Sequence, residues 1–542
     1  MRKRSVAANF DTFGVMLDCS RGAVHKKETL FRMIDILSAA GYNMLQLYTE
    51  DVYEVKGEPY FGYLRGRYSG AELKEIDAYA SSKGIELIPC VQALAHLSGI
   101  MRWDVYSREC LDFGDILLVG EERTYELIDH IFASLAENFK SRRVNIGMDE
   151  AHMVGLGKYL DKHGLRDRFD ILCEHLDKVV KIAEKYGFRP MMWSDMFFRL
   201  LNQGNYYADG SVFDRSVVDK VPQNLDLVYW DYYARDKEHY DKMIKGHLQF
   251  NNPVWFGGGA WTWKGFAPQN EFSMEATANA IRSCIEHGVR NMFITCWKDD
   301  GAECSLFGVL PSLIYAAQCA KGDFDIENAK KVFKRIIGAD FDAFMLADLP
   351  DCKEPGKPIY NPSKYLLYAD PFVGMLDYQV KEDMPERYAK IAEKLRKNVR
   401  MKEFGYIFRT LSDLCDAVSV KCDLGVRTRE LYRKGDKAGL LELAKTAYPE
   451  TMKRVKKLYK SLEEQWAKEN KENGFEVLDI RFGGLLNRLS HCQKMLSEYA
   501  EGKIEIIEPL EEEILPFCSG VKKGEDICYN GWVTTAMVKP FS

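Results

Sequence analysis

The sequence contains no long hydrophobic run and no excess of positive charge. No stretch approaches the roughly 20 consecutive apolar residues that a membrane-spanning helix needs. Acidic residues (81) outnumber basic residues (75), which gives a formal net charge of -6. The one clear basic run, residues 453–460, is followed by acidic residues, as is typical of a solvated helix face. We therefore expect neither a membrane nor a nucleic acid as a partner.

The chain also lacks the cysteine spacing of zinc sites. Its 14 cysteines are scattered, with no Cys-x-x-Cys pair and no Cys/His cluster at zinc-ligand spacing. The segment after the first four residues is too short and too soon polar for a signal peptide. We therefore expect reduced thiols and a cytoplasmic location.

Eight short segments in the first 320 residues have the composition of β-strands. Most are continuously apolar, which is typical of strands buried on both faces of a parallel sheet. Amphipathic helical patterns separate them, for example at 27–40, 125–138, 169–186 and 275–287. The predicted strands are 13–18, 43–48, 85–91, 143–148, 189–193, 225–230, 253–257 and 291–296.

Eight strand-helix units in about 300 residues fit an α/β fold, a closed (β/α)8 TIM barrel. Gly41, Gly84, Gly187 and Gly288 each precede a strand by one to three residues, where glycine readily ends a helix. A doubly wound open sheet is the main alternative, because strand spacing does not show closure. Residues 1–320 are therefore predicted to form a (β/α)8 domain.

Charged helical patterns dominate after residue 320. They occur at 385–397, 411–432, 440–468 (with a break at Pro449) and 475–499. Residues 321–542 are predicted to form a mainly α-helical C-terminal domain packed on the barrel. Its apolar residues at helical spacing are expected to cover the flank of the barrel and to contribute to a homodimer.

Acidic and aromatic residues recur just after the predicted strands, where the active sites of such barrels lie. Tryptophans provide apolar walls for sugar rings and carboxylates accept hydrogen bonds from hydroxyls, so the pattern indicates a sugar pocket. The strand ends carry a single histidine and no glycine-rich loop opening a helix, which argues against a metal or phosphate site. The residues concerned are Asp18, Arg21, Glu50, Asp51, Gln92, His96, Asp149, Glu150, Trp193, Asp195, Trp230, Asp231, Trp261, Trp263, Trp297, Asp299 and Glu303.

The pair Asp149-Glu150 is the sharpest of these features. An isolated Asp-Glu pair is usually solvated, but this one follows the apolar segment 144–148 at a crowded barrel mouth. Repulsion and partial burial there are expected to raise the pKa of one carboxyl, so that it donates a proton near neutral pH. The other carboxylate would stay ionised and orient or stabilise a neighbouring group. Both reach the pocket only if the strand ends or kinks at this point.

These residues together resemble glycoside hydrolase family 20, the β-N-acetylhexosaminidases. The Asp149-Glu150 pair, Arg21 after strand one and the later tryptophans carry the resemblance, which covers about residues 10–320. The closest pattern is the branch whose barrel begins near the N-terminus and is followed by a helical domain. The resemblance implies an exo-acting, retaining enzyme that removes terminal β-linked N-acetylglucosamine, or N-acetylgalactosamine, from glycans. It also implies that the enzyme needs no cofactor or metal.

The resemblance also implies roles for individual residues. In this family the substrate's acetamido oxygen is the nucleophile, so Glu150 would be the general acid and base and Asp149 would stabilise the acetamido group. The other matching positions would bind the sugar or support the acid, with two pairs left open: Tyr229 or Tyr233 at the acetamido group, and Asp299 or Glu303 at an outer hydroxyl. The remaining matches are Arg21, Asp51, His96, Trp193, Asp231, Trp263 and Trp297.

Two other interpretations remain open at this point. A barrel enzyme of another class, such as a lyase or aldolase, would need a Schiff-base lysine, and Lys298 is the only lysine directly at a strand end. A carbohydrate-binding protein without catalysis would keep the aromatic pocket but disrupt the acid pair, whereas both carboxylates are present here.

Overall fold

Eight parallel strands close into a barrel in which neighbours along the chain are neighbours in the sheet. The computed structural model describes residues 9–207, 210, 212–299, 301–351 and 360–530. The strands, numbered along the chain, are β1 Thr12–Asp18, β2 Met44–Tyr48, β3 Glu86–Cys90, β4 Arg143–Asn145, β5 Arg189–Trp193, β6 Asp226–Trp230, β7 Val254–Gly259 and β8 Asn291–Cys296.

The pairing of the first and last strands closes the barrel. Strand β1 pairs in parallel with β8, with Phe13 opposite Met292, and also with β2, with Gly14 opposite Met44. An open sheet would have two edge strands with one neighbour each, whereas here all eight strands have two neighbours. The predicted (β/α)8 fold is therefore confirmed, and the open-sheet alternative is wrong.

Helices surround the barrel, and the predicted glycine stops are confirmed. Gly41, Gly84, Gly187 and Gly288 all have the left-handed backbone, with φ of 101°, 75°, 75° and 72°. A short antiparallel ladder, Leu111–Phe113 with Ile116–Leu117, lies in the loop after β3. The helices up to residue 320 are Lys27–Ala40, Gly70–Ser82, Ser98–Met101, Asp104–Ser107, Glu122–Asn138, Lys158–His163, Arg168–Lys185, Asp195–Leu201, Arg215–Val218, Lys237–His247, Leu248–Phe250, Asn270–Glu286, Leu306–Val309 and Leu310–Cys319.

Strand β4 is shorter than the sequence predicts. The apolar run suggests a strand through Met148, but the strand ends at Asn145 because Gly147 and Met148 both have φ of 69°. The Asn145 side chain accepts the Gly147 N–H at 3.0 Å and so stabilises the turn. The strand therefore ends four positions before Asp149.

The chain after residue 320 is helical in its described part. Within the described residues no helix is long and apolar enough to cross a bilayer. These helices are Ile326–Ile337, Phe341–Met345, Leu346–Asp348, Pro362–Tyr368, Asp377–Gln379, Met384–Arg396, Gly405–Lys421, Leu424–Arg433, Lys437–Lys445, Ala447–Glu469, Glu476–Ala500 and Glu508–Glu511.

Two helix boundaries in this region differ from the prediction. The segment 411–432 is divided between two helices, Gly405–Lys421 and Leu424–Arg433. The break expected at Pro449 lies earlier, at Thr446, and Pro449 occupies the first turn of the next helix. Proline is tolerated there because an N–H in the first turn has no intrahelical acceptor.

Buried charges connect the later helices to the loop after β8. Glu303 is 2% exposed, and its carboxylate lies 2.9 Å from Lys364 Nζ and 2.9 Å from Arg481 Nη1. Both cations belong to later helices, Pro362–Tyr368 and Glu476–Ala500. The Gln465 side chain adds a hydrogen bond of 2.9 Å to the Glu303 carbonyl. This cluster ties the rim of the barrel to the helical region.

We expect Glu303→Gln to lower the free energy of unfolding by about 3–5 kcal/mol, because two buried cations lose their carboxylate partner. Urea unfolding followed by circular dichroism measures the change. The matched control is Glu403→Gln, which removes a half-exposed ion pair with Arg32 that also joins the barrel to the later helices. Its free energy of unfolding should fall by only a small fraction of the loss in Glu303→Gln. Equal, small losses in both variants would contradict a structural role for Glu303.

Candidate active site

A small pocket lies at the C-terminal ends of the barrel strands. Nine of the residues to which the family resemblance gave a role line it, at the ends of seven different strands or in the loops after them. Tyr48, Trp230 and Tyr232 complete the wall. The nine are Arg21, His96, Asp149, Glu150, Trp193, Tyr233, Trp263, Trp297 and Asp299.

The backbone after β4 turns both members of the acid pair toward this pocket. Met148 and Glu150 have φ of 69° and 51°, a left-handed conformation that non-glycine residues rarely adopt. Two side chains hold the turn: Gln92 accepts the Met148 N–H at 3.1 Å, and Asp195 accepts the Glu150 N–H at 3.1 Å. Sequence neighbours that would point to opposite faces of a strand therefore line one cavity.

Asp149 is held as a buried carboxylate. Its Oδ1 accepts a hydrogen bond from Gln92 Nε2 at 3.0 Å, and its Oδ2 lies 3.2 Å from His96 Nε2. Burial disfavours the charged form, but the His96 charge and these hydrogen bonds outweigh it and lower the pKa of Asp149. Burial also opposes the charge on His96, yet the Asp149 carboxylate raises the pKa of His96 to about 10. The two groups therefore form an ion pair across the neutral range.

Glu150 has a different environment from its neighbour. Its side chain is 43% exposed, whereas that of Asp149 is 12% exposed. Its Oε2 lies 3.7 Å from His96 Nε2, so one imidazole faces both carboxyls. Asp195 lies behind the pair, and burial together with the Asp149 and Glu150 charges raises the pKa of Asp195 to about 7. The pocket thus holds one buried, ion-paired carboxylate beside one accessible carboxyl.

Arg21 forms the opposite, polar end of the pocket. Its guanidinium lies 3.5 Å from Glu50, 3.9 Å from Asp18 and 4.0 Å from Asp299. Burial raises the pKa of Glu50 to about 7, although the Arg21 charge acts against that rise. The Tyr48 hydroxyl donates to Glu50 at 3.1 Å. A charged donor surrounded by acceptors is suited to the hydroxyl groups of a sugar.

Aromatic rings form the remaining walls. The centroids of Trp193 and Trp297 lie 6.1 Å apart, and those of Tyr232 and Trp263 lie 5.6 Å apart. Trp230 stacks on Tyr232 with centroids 5.2 Å apart and an interplanar angle of 20°. Together these rings present a rigid apolar surface of the kind that packs on the C–H face of a sugar.

Tyr229 and Asp231, predicted as sugar ligands, are not among the residues that line the pocket. Tyr229 lies within β6 and faces the surrounding helices, where its ring stacks on His247 with centroids 4.7 Å apart. Its hydroxyl donates to Asp231 at 3.0 Å, and Asp231 also accepts the Tyr233 N–H at 2.9 Å. Of the two tyrosines left open by the sequence, Tyr233 is therefore the one that reaches the pocket.

Asp51 and Glu303 are also directed away from the pocket. Asp51 is 1% exposed and accepts a hydrogen bond from Arg65 at 3.1 Å, while its neighbour Glu50 contacts Arg21. Glu303 is bound to the later helices as described above. Between the two acids considered for the outer hydroxyl, Asp299 lines the pocket and Glu303 does not.

Several residues that shape the site have no role predicted from the sequence. They are Tyr48, Glu50, Gln92, Asp195, Trp230 and Tyr232. A usable signal was present, because every one of these residues lies within two positions of the end of a strand.

One cluster in the described chain has the spacing of a metal site: Asp241, Glu286 and His287. Asp241 lies on the helix Lys237–His247, and Glu286 ends the helix Asn270–Glu286, with His287 directly after it. The cluster is therefore outside the barrel sheet. Lys237 Nζ lies 2.8 Å from Asp241 and 2.7 Å from Glu286, so an ammonium already balances these carboxylates. None of the three residues lines the pocket.

Two family models match the chain. Residues 10–231 match the catalytic domain of glycosyl hydrolase family 20, and residues 341–528 match the glycoside hydrolase 20C C-terminal domain. The two matches lie in the barrel and in the helical region.

The chain is also similar to proteins named hexosaminidases. Hexosaminidase D of Bos taurus is 25% identical over 285 residues, which cover 50% of this chain and 75% of that protein. Hexosaminidase D of Homo sapiens is 27% identical over 222 residues, which cover 40% of this chain and only 43% of that protein. The solved β-N-acetylhexosaminidase of Bacteroides fragilis NCTC 9343 has a TM-score of 0.47 and 19% identity, over 61% of this chain and 71% of that chain.

The barrel, the pocket at its C-terminal rim and the two matching family models agree: the chain belongs to glycoside hydrolase family 20 and is a glycoside hydrolase.

Proposed function

We propose that this protein is an exo-acting β-N-acetylhexosaminidase that removes terminal β-linked N-acetylglucosamine, or N-acetylgalactosamine, from glycans. The observation that carries the proposal is the buried Asp149 carboxylate, ion-paired with His96, next to the accessible Glu150 in an aromatic pocket. A fixed negative charge beside an accessible acid suits a reaction whose nucleophile is the substrate's own acetamido group. The matching hexosaminidases support the same activity.

In the first step the acetamido oxygen attacks the anomeric carbon. A bond forms between that oxygen and the carbon while the bond to the leaving oxygen breaks, and Glu150 transfers its proton to the leaving oxygen. The product is a cyclic oxazolinium-type intermediate. Asp149 accepts the acetamido N–H and stabilises the positive charge that develops on the ring, which a buried carboxylate does more strongly than a solvated one.

In the second step water replaces the acetamido oxygen. Glu150, now a carboxylate, removes a proton from the water as its oxygen bonds to the anomeric carbon, and the bond to the acetamido oxygen breaks. The acid is regenerated, and two displacements leave the sugar with its original β configuration. The 43% exposure of the Glu150 side chain allows both a leaving group and water to reach it.

The pocket geometry supports recognition of a terminal sugar. Arg21 and Asp299 would bind ring hydroxyls at the polar end, and Trp297, Trp193 and Trp263 would pack on the sugar and the acetamido methyl group. Tyr233 would donate its hydroxyl to the acetamido oxygen. This set of contacts would suit one terminal sugar ring, which is the basis for proposing action at the end of a glycan chain.

Substitutions in the acid pair separate the two roles. Glu150→Gln removes the proton donor, which is worth about 10²–10⁴-fold in rate, but a nitrophenolate leaves readily without protonation. We therefore expect a larger loss of kcat/KM, which reports the first step, on a disaccharide than on a nitrophenyl glycoside. Asp149→Asn removes the charge needed for acetamido attack, which both substrates share, so its loss should be similar on both.

Steady-state kinetics of both variants on the two substrates measure this difference. If Asp149→Asn shows the dependence on leaving group and Glu150→Gln does not, the roles are reversed. If neither variant is impaired, the chemistry lies elsewhere in the barrel.

His96 should set the acid side of the pH profile. His96→Gln keeps a hydrogen-bond donor but removes the positive charge that lowers the pKa of Asp149. The pKa of Asp149 should then rise, and the acid limb of kcat/KM should move to higher pH because protonated Asp149 no longer stabilises the intermediate. His130→Gln is the control, since His130 pairs with Glu58 outside the pocket. An acid limb unchanged by His96→Gln would contradict this coupling.

A further inference from the structure

Asp195 lies directly behind the acid pair and has an unusual set of contacts. It is fully buried at the start of the short helix after β5. Its Oδ2 accepts the Glu150 N–H at 3.1 Å and faces Arg199 Nε at 3.2 Å. Its Oδ1 is buried without a hydrogen-bond partner within the described residues. One oxygen of this carboxyl is therefore hydrogen-bonded to the backbone N–H of Glu150.

The residues around Asp195 fix its position. The Ser194 N–H donates to the Val228 carbonyl at 3.0 Å, and the Ser194 hydroxyl lies 2.7 Å from His247 Nε2. Trp193 donates its N–H to the Gly147 carbonyl at 3.2 Å, which connects β5 to the turn after β4. Asp195 thus projects from a rigid strand end toward a turn that is itself strained.

The backbone of Glu150 needs such support. Its φ of 51° is unfavourable for a residue with a branched or long side chain. If the Glu150 N–H lost its acceptor, the turn would relax toward negative φ, and this rotation would move the carboxyl relative to the pocket. A displacement of about 1 Å at a catalytic group is enough to cost about 100-fold in rate.

We propose that Asp195 is a positioning residue that holds Glu150 in its left-handed conformation and so keeps the acid at the leaving oxygen. The proposal rests on the proposed function, since it assumes that Glu150 is the proton donor. Neither the family models nor the relatives' names assign a role to this residue. Burying a carboxylate beside two others costs free energy of folding. That cost is consistent with a carboxyl whose role is to hold the Glu150 backbone.

Two substitutions separate positioning from bulk stability. Asp195→Ala removes the acceptor of the Glu150 N–H, whereas Asp195→Asn keeps an oxygen in the same place. We expect Asp195→Ala to lower kcat/KM on a disaccharide by about 10- to 100-fold, with little change in KM and a much smaller loss of kcat/KM on a nitrophenyl glycoside. Asp195→Asn should recover most of the disaccharide rate.

The matched control is Asp348→Ala. Asp348 is also buried, also accepts a backbone N–H, that of Glu271 at 2.9 Å, and burial raises its pKa to about 7. It does not line the pocket. Its replacement should lower the thermal unfolding temperature and leave the ratio of the two substrate rates unchanged.

The wild-type protein distinguishes failure of this inference from failure of the proposed function. If the wild type hydrolyses neither substrate, the proposed function is wrong. If it hydrolyses both, an equal loss on the two substrates in Asp195→Ala, an unimpaired Asp195→Ala, or an Asp195→Asn variant as impaired as Asp195→Ala would overturn the positioning role. Should Asp195→Ala fail to fold, Asp195→Ser replaces it, because a serine hydroxyl is too short to reach the Glu150 N–H.

Discussion

The ion pair between Asp149 and His96 is the interaction on which the site depends. A carboxylate this deeply buried is stable only with a cation and hydrogen-bond donors beside it, and His96 and Gln92 supply them from the loop after β3. To meet these partners the chain must leave β4 early, and the left-handed turn through Met148 and Glu150 follows from that requirement. The same turn places Glu150 on the solvent-accessible side of the pocket. The proposed proton donor needs this access to reach the leaving oxygen.

The helical region stabilises the rim that carries these groups. The Glu469 side chain accepts the Leu306 N–H at 2.9 Å after β8, and its carbonyl accepts the Lys26 N–H at 3.0 Å after β1. His25 pairs with Asn470 at 2.7 Å, also within the loop that carries Arg21. The C-terminal end of the helix Ala447–Glu469 therefore binds both loops that form the polar end of the pocket. In this way the helical region helps to position the site.

The sequence predicts the barrel well and the site only in part. Continuous apolar runs and glycine stops place all eight strands, because burial on both faces and helix termination are local properties. The choice between Tyr229 and Tyr233 stayed open because strand residues alternate between faces, and the position of Tyr229 inside β6 turns it toward His247. The choice between Asp299 and Glu303 stayed open because the partners of Glu303, Lys364 and Arg481, lie 61 and 178 positions away along the chain. Neither contact has a local signal, whereas the kink after β4 was foreseen from the need for two adjacent acids to share one pocket.

Participation of the acetamido group is the central claim, and it is tested most directly by varying that group alone. The kcat/KM values of the wild-type protein would be measured on nitrophenyl β-glycosides bearing a 2-acetamido, a 2-trifluoroacetamido or a 2-hydroxyl group. Because fluorine makes the amide oxygen a weaker nucleophile, the account predicts a steep fall from the first substrate to the second and no significant hydrolysis of the third. Comparable rates on all three would show that the acetamido group is not the nucleophile, and would contradict the account.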